Sequence, residues 1–469
     1  MHESSQLEYV ENVTFDEISI GQSARLVRTL TLEDIQAFAA VSGDTNPAHL
    51  DIEFASASLF HEVIGHGMWS ASLISTLLGT QFPGSGTIYL DQTLHFKRPV
   101  KVGDTIAVLL TVISKNNDKK SIQFDCLVTN QKNEKVVVGE ASVLAPTIKV
   151  RHQKLSTPQI RLFDPDLRLK NLLALGNHLE PVTCGVVHPC DEDSLRGAID
   201  AANNQLINPV LIGPDSKIME VAEKFGIDIK GIKIISVPHS HAAAELASNL
   251  AADGTLEALM KGSLHTDELM HAVISNKALR TKRRLSHIFR FEAPLYDKPI
   301  LISDAALNIR PNLHEKMDIV QNAINLSQIL GRPNPKVAIL SAVETINSDI
   351  PSTIDAAALC KMADRGQITG GQLDGPLAFD NAISPEAVRI KKINSPVAGE
   401  AEILIVPDLE SGNMLSKQLE YLAGATACGV VLGCKVPIAL TSRADGPSTR
   451  MASALLAKLI AHDYRQNRP

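Results

Sequence analysis

Six residues near the start of the chain, Asp44-Thr45-Asn46-Pro47-Ala48-His49, bring together side chains that could carry out acid/base chemistry. The carboxylate of Asp44 and the imidazole of His49 are five positions apart, and Pro47 stiffens the segment between them. Gly65-His66-Gly67-Met68 follows and opens a predicted apolar helix. Two proton-handling groups beside a helix N-terminus that can steady a developing oxyanion are suited to adding water to a polarised double bond.

Hydration of an enoyl thioester needs a base to activate water, an acid to protonate the α-carbon and a hydrogen-bond donor for the thioester oxygen. Asp44 and His49 could share the first two roles around one water molecule. Asn46 would fix the loop between them, and Gly67 could bring its N–H close to a ligand because it has no side chain. The six-residue pattern fits an ordinary turn with a surface histidine equally well.

The bulk composition limits the class of protein. A chain of 469 residues is too long to fold around one hydrophobic core, so two or three domains are expected. A net charge of −7 and a pI of about 6.1 give no overall attraction to nucleic acid or anionic membranes. The N-terminus lacks the features of a signal peptide, no apolar run reaches bilayer length, and the six cysteines contain no C-x-x-C pair. We therefore expect a cytoplasmic protein with reduced thiols and no membrane or nucleic-acid partner.

The first part of the chain, residues 1–150, has the pattern of an α+β domain. A helix should begin after Thr31 and end at Gly43, and a second should run from about Met68 to Leu78. Four β-rich segments follow, and polar turns separate the last three as in an antiparallel meander; they are Gly86–Phe96, Thr105–Ser114, Ser121–Thr129 and Lys135–Ile148. This order predicts an antiparallel sheet around a central helix.

Residues 151–170 are polar, contain Pro158 and Pro165, and are interpreted as a linker. From residue 171 to 469, short buried strands alternate with helical stretches such as His241–Ala252 and Met317–Leu330. This alternation predicts a two-lobed α/β domain with a largely parallel sheet, in which ligands bind beyond the carboxyl ends of the strands.

Most of residues 10–148 resemble the MaoC-type (R)-specific enoyl-CoA hydratases, which have a hotdog fold. The resemblance is carried by Asp44-x-Asn46-Pro47-x-His49-Leu50-Asp51, His66-Gly67-Met68, Pro83-Gly84-x-Gly86-x-Ile88-Tyr89, Phe96-x-x-Pro99-Val100 and Val102-Gly103-Asp104. It implies that Asp44 and His49 are the catalytic pair, that Gly67 provides the oxyanion-binding amide and that Ser75 is a serine near the pair. It also implies a dimer, because one hotdog normally pairs with another to complete its acyl-CoA tunnel.

Several polar loops in the second domain follow predicted strands, where a parallel sheet builds its sites. Ser442-Arg443-Ala444-Asp445 follows the strand Val436–Leu440 and could form a phosphate cradle, although on pattern alone an N-capping serine with a surface arginine is favoured. Its companions at other predicted strand ends are Ser303-Asp304-x-x-x-Asn308, the run Asp374–Asp380 and Pro407-Asp408-x-Glu410-x-Gly412-Asn413.

The segment from about Cys184 to Leu459 resembles the phosphate acetyl/butyryl transferase family, in particular its butyryltransferase-like branch. Besides the loops above, the resemblance includes Leu264-His265-Thr266-Asp267, Ser286-His287, Pro335-Lys336-Val337-Ala338 and Ala342-Val343-Glu344. It implies transfer of an acyl group from acyl-CoA directly to phosphate, without a metal or a covalent enzyme intermediate. Ser442 and Arg443 are the expected catalytic residues. The expected substrate-binding residues are Asn46, Ser75, Asp304, Asn308, Asp374, Asp380, Asn413 and Asp445.

One position departs from the pattern of the second family. The acetyltransferase branch has an aspartate beyond its Ser-Arg pair, near where this chain has Thr449. Asp445 is the replacement considered, at a different spacing, which leaves the general base undecided. Arg310 and Lys391 are further candidates that are more often surface charges.

Other patterns give little support to additional sites. The basic run Arg280-Thr281-Lys282-Arg283-Arg284 could bind CoA phosphates, but the pattern favours an exposed helix face. No dinucleotide or P-loop motif is present, and His239-Ser240-His241 is weak as a metal site. Coenzyme A esters and phosphate are therefore expected as substrates, with no cofactor and no metal.

The sequence as a whole predicts a bifunctional CoA enzyme that forms a homodimer or a larger homo-oligomer. Two alternatives stay open. In the first, only the hydratase is active and the second domain is a CoA-binding regulatory module. In the second, the hotdog domain is a dimerisation platform for an acyltransferase.

Overall fold

The computed structural model of the protein describes residues 8–155, 164–441 and 445–469. The chain divides into two compact units, Met1–Leu162 and Phe163–Pro469. Each unit has its own buried apolar clusters. No helix within the described residues has both the length and the hydropathy needed to cross a bilayer.

The first unit is an antiparallel sheet packed on one long helix. Its elements are β1 (Tyr9–Glu11), β2 (Ser23–Thr29), α1 (Leu32–Ser42), α2 (Pro47–Leu50), α3 (Ile52–Ala57), α4 (Gly67–Thr80), β3 (Ile88–Gln92), β4 (His95–Phe96), β5 (Thr105–Asn116), β6 (Ser121–Thr129), β7 (Lys135–Leu144) and β8 (Arg151–Gln153). The main sheet has the order β2-β5-β6-β7-β3, and β4 also pairs with β7. The predicted meander is confirmed, since β6 pairs antiparallel with both β5 and β7.

Alternating burial along the strands builds the core of this unit. Every second residue of β5 from Ile106 to Val112 is buried, because successive side chains of a strand point to opposite faces. These residues pack in one cluster with Ile74 and Leu77 of α4. The predicted helix after Thr31 is also confirmed: Thr31 caps α1 through a bond from the Asp34 N–H, and Gly43 ends it with a φ of 75°.

The second unit is an α/β structure around one large sheet. Its strands are β9 (Val182–Val187), β10 (Ile207–Gly213), β11 (Lys233–Ser236), β12 (Ala258–Lys261), β13 (Ser286–Glu292), β14 (Ile300–Ser303), β15 (Lys336–Leu340), β16 (Gln372–Leu377), β17 (Ile403–Ile405), β18 (Thr426–Leu432) and β19 (Ile438–Ala439). Its helices are α5 (Pro165–Ala174), α6 (Glu192–Asn203), α7 (Asp215–Phe225), α8 (Ser240–Ala252), α9 (Thr266–Ser275), α10 (Leu313–Ile329), α11 (Pro351–Asp364), α12 (Phe379–Ile383), α13 (Pro385–Lys391), α14 (Leu409–Tyr421) and α15 (Pro447–Gln466).

The sheet of the second unit changes direction near its middle. The strand order is β11-β10-β9-β12-β19-β18-β13-β14-β17-β15-β16. Neighbours are parallel in both outer parts, but β13 and β18 are antiparallel to each of their neighbours. The sheet is thus largely parallel, as predicted. Because three antiparallel pairs separate β19 from β14, the two outer groups of strands run in opposite directions.

The predicted linker, residues 151–170, contains secondary structure at both ends. β8 pairs with β1, placing Gln153 opposite Tyr9, and α5 begins at Pro165 after a cap from Asp164. β8 is polar and lies on a small two-stranded sheet, whereas α5 has an apolar stripe that includes the buried Leu172. The boundary between the units, at residues 162 and 163, falls inside this segment.

Candidate active sites

The loop between α1 and α2 positions Asp44. Gly43 ends α1 in the left-handed region, and the N–H of Asn46 then donates to the Asp44 carboxylate at 3.3 Å. The Asn46 side chain caps α2 by accepting from the Ala48 N–H at 3.0 Å. Asn46 therefore shapes the loop as predicted from its type, and the carboxylate of Asp44 stays exposed to a ligand.

A hydrogen bond to a main-chain carbonyl fixes the tautomer of His49. Its Nδ1 lies 2.8 Å from the carbonyl oxygen of Ile64. Since a carbonyl oxygen can only accept, Nδ1 carries the hydrogen and Nε2 is the basic nitrogen of the neutral ring. One ligand atom from each of Asp44, His49 and His66 lies within 4.8 Å of the others. A water molecule can hydrogen-bond to two groups at that separation, so Asp44 and His49 are placed to share one.

His66 is a third member of this cluster, and the sequence pattern predicts no role for it beyond its place in the motif. It caps α4, is buried, and its Nε2 donates to the main-chain oxygen of Asp44 at 3.0 Å. Its ring centroid is 3.9 Å from that of His49. Its Nδ1 has no hydrogen-bond partner among the described residues. His66 thus ties the carboxylate segment to the imidazole ring of the pair.

Gly67 begins α4, where the first N–H groups of a helix have no partner within it. The residue is exposed, and a Cβ at this position would come within 3.0 Å of the Phe96 ring. A Cβ here would require the half-exposed Phe96 ring to shift by a few tenths of an ångström, and without one the N–H can point at a ligand oxygen. Ser75 is exposed eight residues further on, about 12 Å along α4. No hydrogen bond between described residues joins Ser75 to Asp44 or His49.

In the second unit, Ser442 and Arg443 lie outside the described residues, but the residues on either side of them are fixed. Arg450 of α15 is buried; its Nη1 donates to the Thr441 hydroxyl at 3.0 Å and its Nε to the Asp445 carbonyl at 3.2 Å. Lys261 is also buried, and its Nζ donates to the Thr441 carbonyl at 3.4 Å. Two buried cationic side chains, Lys261 and Arg450, therefore hydrogen-bond to the residues that flank the segment predicted to bind phosphate.

The sequence pattern predicts no role for either cation. Arg450 could not be distinguished from a surface residue of a helix, whereas Lys261 ends the apolar run Ala258-Leu259-Met260. Lysine is rarely fully buried without a partner. A lysine at the end of an apolar strand could therefore have marked Lys261 as a candidate site residue in advance.

Asp304, Asn308 and Asn413 come together at the end of β14, but at the other edge of the sheet. Ser303 pairs with Ile288, near the end of β13 where Ser286 faces Leu432. Thr441 follows β19, which runs antiparallel to β18. The loop after β14 and the segment after β19 therefore leave the sheet in opposite directions, because the central antiparallel strands reverse the chain direction.

The hydrogen bonds of Asp304 and Asn308 are made to the protein. Both are buried, and the Asn308 amide donates to Asp304 at 2.6 Å. The other carboxylate oxygen of Asp304 accepts from the N–H groups of Ala306 and Leu307, each at 2.9 Å. Asn413 donates to the Ala305 carbonyl at 3.4 Å. These contacts shape the loop after β14.

The run Asp374–Asp380 forms a separate polar group at the end of β16. Asp374 accepts from the N–H of Gly375 at 2.8 Å, while Asp380 lies 3.1 Å from Lys391. The hydrogen bond from Lys391 lowers the pKa of Asp380, and the same contact raises the pKa of Lys391. Lys391 is also 3.7 Å from Glu344, so it is a member of an ion-pair group at this loop.

The cysteine thiols have the properties of core residues. All six are free, and burial raises the pKa of Cys184 and of Cys434 to about 12. Such thiols stay protonated at neutral pH and are poor nucleophiles. This agrees with the lack of a recognisable cysteine-based catalytic set in the sequence.

Comparison with known proteins identifies the second unit. Residues 238–458 match the family described as "Phosphate acetyl/butaryl transferase". The phosphate acetyltransferase of Rhizobium meliloti is 58% identical over 291 residues, which cover 62% of this chain and 92% of that protein. The chain belongs to the phosphate acetyl/butyryl transferase family. A branched-chain phosphotransacylase from Enterococcus faecalis is 30% identical, with a TM-score of 0.54 over 60% of this chain and 99% of that one.

This phosphate acetyl/butyryl transferase family member also carries a MaoC-like domain. Residues 17–134 match the family described as "MaoC like domain" and include Asp44, His49, His66 and Gly67. An (R)-hydratase from Pseudomonas aeruginosa is 43% identical over 33% of this chain and all of that one, with a TM-score of 0.33. The domain content predicted from the two resemblances is thus confirmed, and the chain is an enzyme.

Proposed function

We propose that the protein is a bifunctional acyl-CoA enzyme. Its first unit, with a hotdog sheet around α4, reversibly hydrates trans-2-enoyl-CoA to (R)-3-hydroxyacyl-CoA. Its second unit transfers a short acyl group from acyl-CoA to inorganic phosphate. The observation that carries the first activity is the cluster of Asp44, His49 and His66 beside the start of α4. The second rests on membership of the transferase family and on the buried cations at Thr441.

In the hydration step, water is held between the Asp44 carboxylate and Nε2 of His49. One of the pair accepts a proton from the water as its oxygen bonds to C3 of the enoyl group. The electron pair of the double bond moves towards the thioester oxygen, which accepts a hydrogen bond from the Gly67 N–H. A proton then passes from the pair to C2, so that one water is added and both groups regain their starting states.

In the transfer step, an oxygen of phosphate attacks the thioester carbonyl and forms the new C–O bond. The tetrahedral intermediate then releases the CoA thiolate and leaves an acyl phosphate. Arg443 is proposed to bind phosphate and developing charge through its planar guanidinium, with Ser442 as a second donor. Lys261 and Arg450 keep the flanks of this segment in place and add positive charge close to it.

Neither step requires a metal or an organic cofactor, because proton transfer and hydrogen bonding can stabilise the charge that develops in each step. The spacing of Asp44, His49 and His66 would nevertheless accommodate a divalent cation. Treatment with a chelator, followed by metal analysis, checks this part of the proposal. We expect hydration to persist in metal-free enzyme, and a loss that is restored by one specific metal would contradict the expectation.

We also propose that the enzyme acts in the cytoplasm as a homodimer or larger homo-oligomer. β3 lies at one edge of the first sheet, and its residues Ile88 and Leu90 are exposed by 57% and 53%. An apolar edge strand is a surface that a second copy can cover. Light scattering of the purified protein measures the number of subunits.

The hydration proposal is tested with Asp44→Asn and His49→Ala. Each should lower the rate of short-chain enoyl-CoA hydration by at least about 10²-fold while leaving the fold intact. Asp118→Asn, in the exposed turn between β5 and β6, is the matched control and should hydrate at the normal rate. Near-normal turnover in either active-site variant would remove its residue from the mechanism. Chiral analysis of the product tests the (R) configuration.

The transfer proposal is tested with Arg443→Lys, because lysine lacks the planar fork that binds phosphate in two places. Phosphate-dependent release of CoA should fall by about 10-fold or more, while hydration is unchanged. Assay of both activities in the wild-type protein separates the alternatives. Hydration without acyl phosphate formation would indicate a regulatory second unit, and acyl phosphate formation without hydration would indicate that the first unit is a platform.

A further inference from the structure

The basic run Arg280–Arg284 forms part of a cavity instead of the exposed helix face that its sequence favours. A short 3-10 helix ends at Leu279, and Arg280 then forms an isolated bridge with Cys434. The cavity has a volume of about 770 Å³. It is lined by the loop before β13, the end of β18, one side of α10 and the last turns of α15. A volume of this order accommodates a nucleotide-sized ligand.

Four cationic side chains line this cavity: Arg280, Lys282, Arg283 and Arg468. None of them has a carboxylate within 4.0 Å in the described parts of the chain. Asp463 is the acidic side chain of the lining, and it accepts a hydrogen bond from Asn467 at 2.8 Å. In a chain with a net charge of −7, this local excess of positive charge marks a site that attracts anions.

The backbone that presents these cations is well fixed. The Thr281 hydroxyl donates to the Gly433 carbonyl at 2.8 Å and accepts from the Arg283 N–H at 3.1 Å. Gly433 has a φ of 98°, and a Cβ there would come within 2.3 Å of the Arg284 oxygen. With the Asn325 amide oxygen facing Arg283, the guanidinium donates to it at 2.6 Å. The loop is therefore organised before any ligand binds.

This cavity is remote from the residues that flank the proposed phosphate segment. Arg450 and Tyr464 lie on the same helix, and Tyr464 contributes to the cavity. They are fourteen positions apart, which corresponds to about 21 Å along the helix axis. The cavity and Thr441 also lie towards opposite ends of β18. Gly433 follows the last residue of this strand, whereas β19 runs antiparallel to it and carries the chain the other way to Thr441.

We propose that this cavity is a second anion site, which binds a ligand with two or more linked phosphate groups. Arginine guanidinium groups bind phosphate oxygens in pairs. The Arg280 guanidinium donates from Nε and Nη2 to the Ile274 carbonyl, so Lys282, Arg283 and Arg468 are the cations that carry the proposal. The chemistry differs from that of the catalytic site, which takes one phosphate and a thioester. A nucleoside triphosphate and inorganic tripolyphosphate both contain the linked phosphate groups that the site is proposed to recognise.

Isothermal titration of the full-length protein with ATP and with tripolyphosphate tests the proposal, in the presence of saturating coenzyme A. Both should bind, with an affinity that falls as salt is raised, and orthophosphate should bind at least about 10-fold more weakly. Arg283→Ala and Arg468→Ala should each reduce the affinity about 10-fold, because each removes a charge-assisted hydrogen bond. Lys224→Ala, at the exposed end of α7, is the control with the same loss of charge.

The Arg443→Ala variant distinguishes this site from the catalytic one. It should bind tripolyphosphate as tightly as the wild type while losing phosphate-dependent CoA release. Three results would overturn the proposal: no binding to the wild type, unchanged binding in both cavity variants, or complete displacement by coenzyme A. The last result would assign the cations to the nucleotide end of the substrate.

Discussion

The imidazole rings of His49 and His66 lie against each other, with centroids 3.9 Å apart and planes inclined by 34°. The two rings also have different hydrogen-bond partners: His49 donates from Nδ1 to Ile64, and His66 from Nε2 to the main chain of Asp44. His66 therefore contacts one member of the proposed catalytic pair with its ring face and holds the backbone of the other. We infer that its role in hydration is to position the pair.

Replacement of His66 with phenylalanine should separate these two contacts. The variant keeps an aromatic ring against His49 but loses the hydrogen bond to Asp44. We expect kcat for hydration to fall about 10-fold, since even a small displacement of a catalytic group lowers the rate strongly. KM should change little. A variant with normal kcat, or one whose only defect is lower thermal stability, would show that His66 acts solely in packing.

Replacement of Arg450 should affect transfer through the segment that it holds. A lysine at this position keeps the charge, but it cannot reach both the Thr441 hydroxyl and the Asp445 carbonyl. We expect Arg450→Lys to raise the KM for phosphate and lower kcat for transfer, together by about 10-fold in kcat/KM. Arg465→Lys, on the same helix and paired with Glu257 at the surface, is the matched control. Equal effects of the two substitutions would contradict a positioning role for Arg450.

The buried His287 should make the stability of the second unit depend on pH. It is fully buried, and burial lowers its pKa by more than the Asp304 carboxylate and the Leu440 backbone raise it. In the unfolded chain its pKa is about 6.5, so below that pH the unfolded state binds more protons than the folded one. The free energy of unfolding should therefore fall as the pH drops below about 6.5, by up to about 1.4 kcal/mol per pH unit from this group.

His287→Leu should flatten this dependence, because the variant has no group to protonate. Chemical unfolding of residues 160–469 at several values from pH 5 to pH 7.5 compares the two slopes. If the wild type and the variant lose stability in parallel over this range, the dependence originates in other groups.

The two units should fold and act separately. β8 completes the first unit by pairing with β1, and α5 begins the second at Pro165, so a cut between them removes no described element. We expect residues 1–154 to hydrate enoyl-CoA and residues 160–469 to exchange phosphate for CoA. Separate expression and assay of the two fragments checks this. A folded first fragment that hydrates only when the second is added would mean that the units complete each other's sites.

The domain content and most of the local structure follow from the amino-acid sequence alone. Thr31 and Gly43 bound α1 because capping and left-handed backbone are local preferences, and the polar turns around β6 set the meander by the same logic. Asp44 and His49 could also be paired in advance. They are only five positions apart, and a short loop cannot carry them far from each other.

Contacts between distant parts of the chain could be read only from the folded protein. His66 meets His49 because α4 starts beside α2, and Arg450 holds Thr441 because α15 turns back along the sheet. Asp304 and Thr441 lie at opposite edges because β13 and β18 reverse the strand direction, which no local pattern encodes. The basic loop at Arg280–Arg284 became part of a cavity through the packing of α10 and α15 against it. Local residue preferences define elements and short loops, while the order and direction of strands follow from burying the whole core at once.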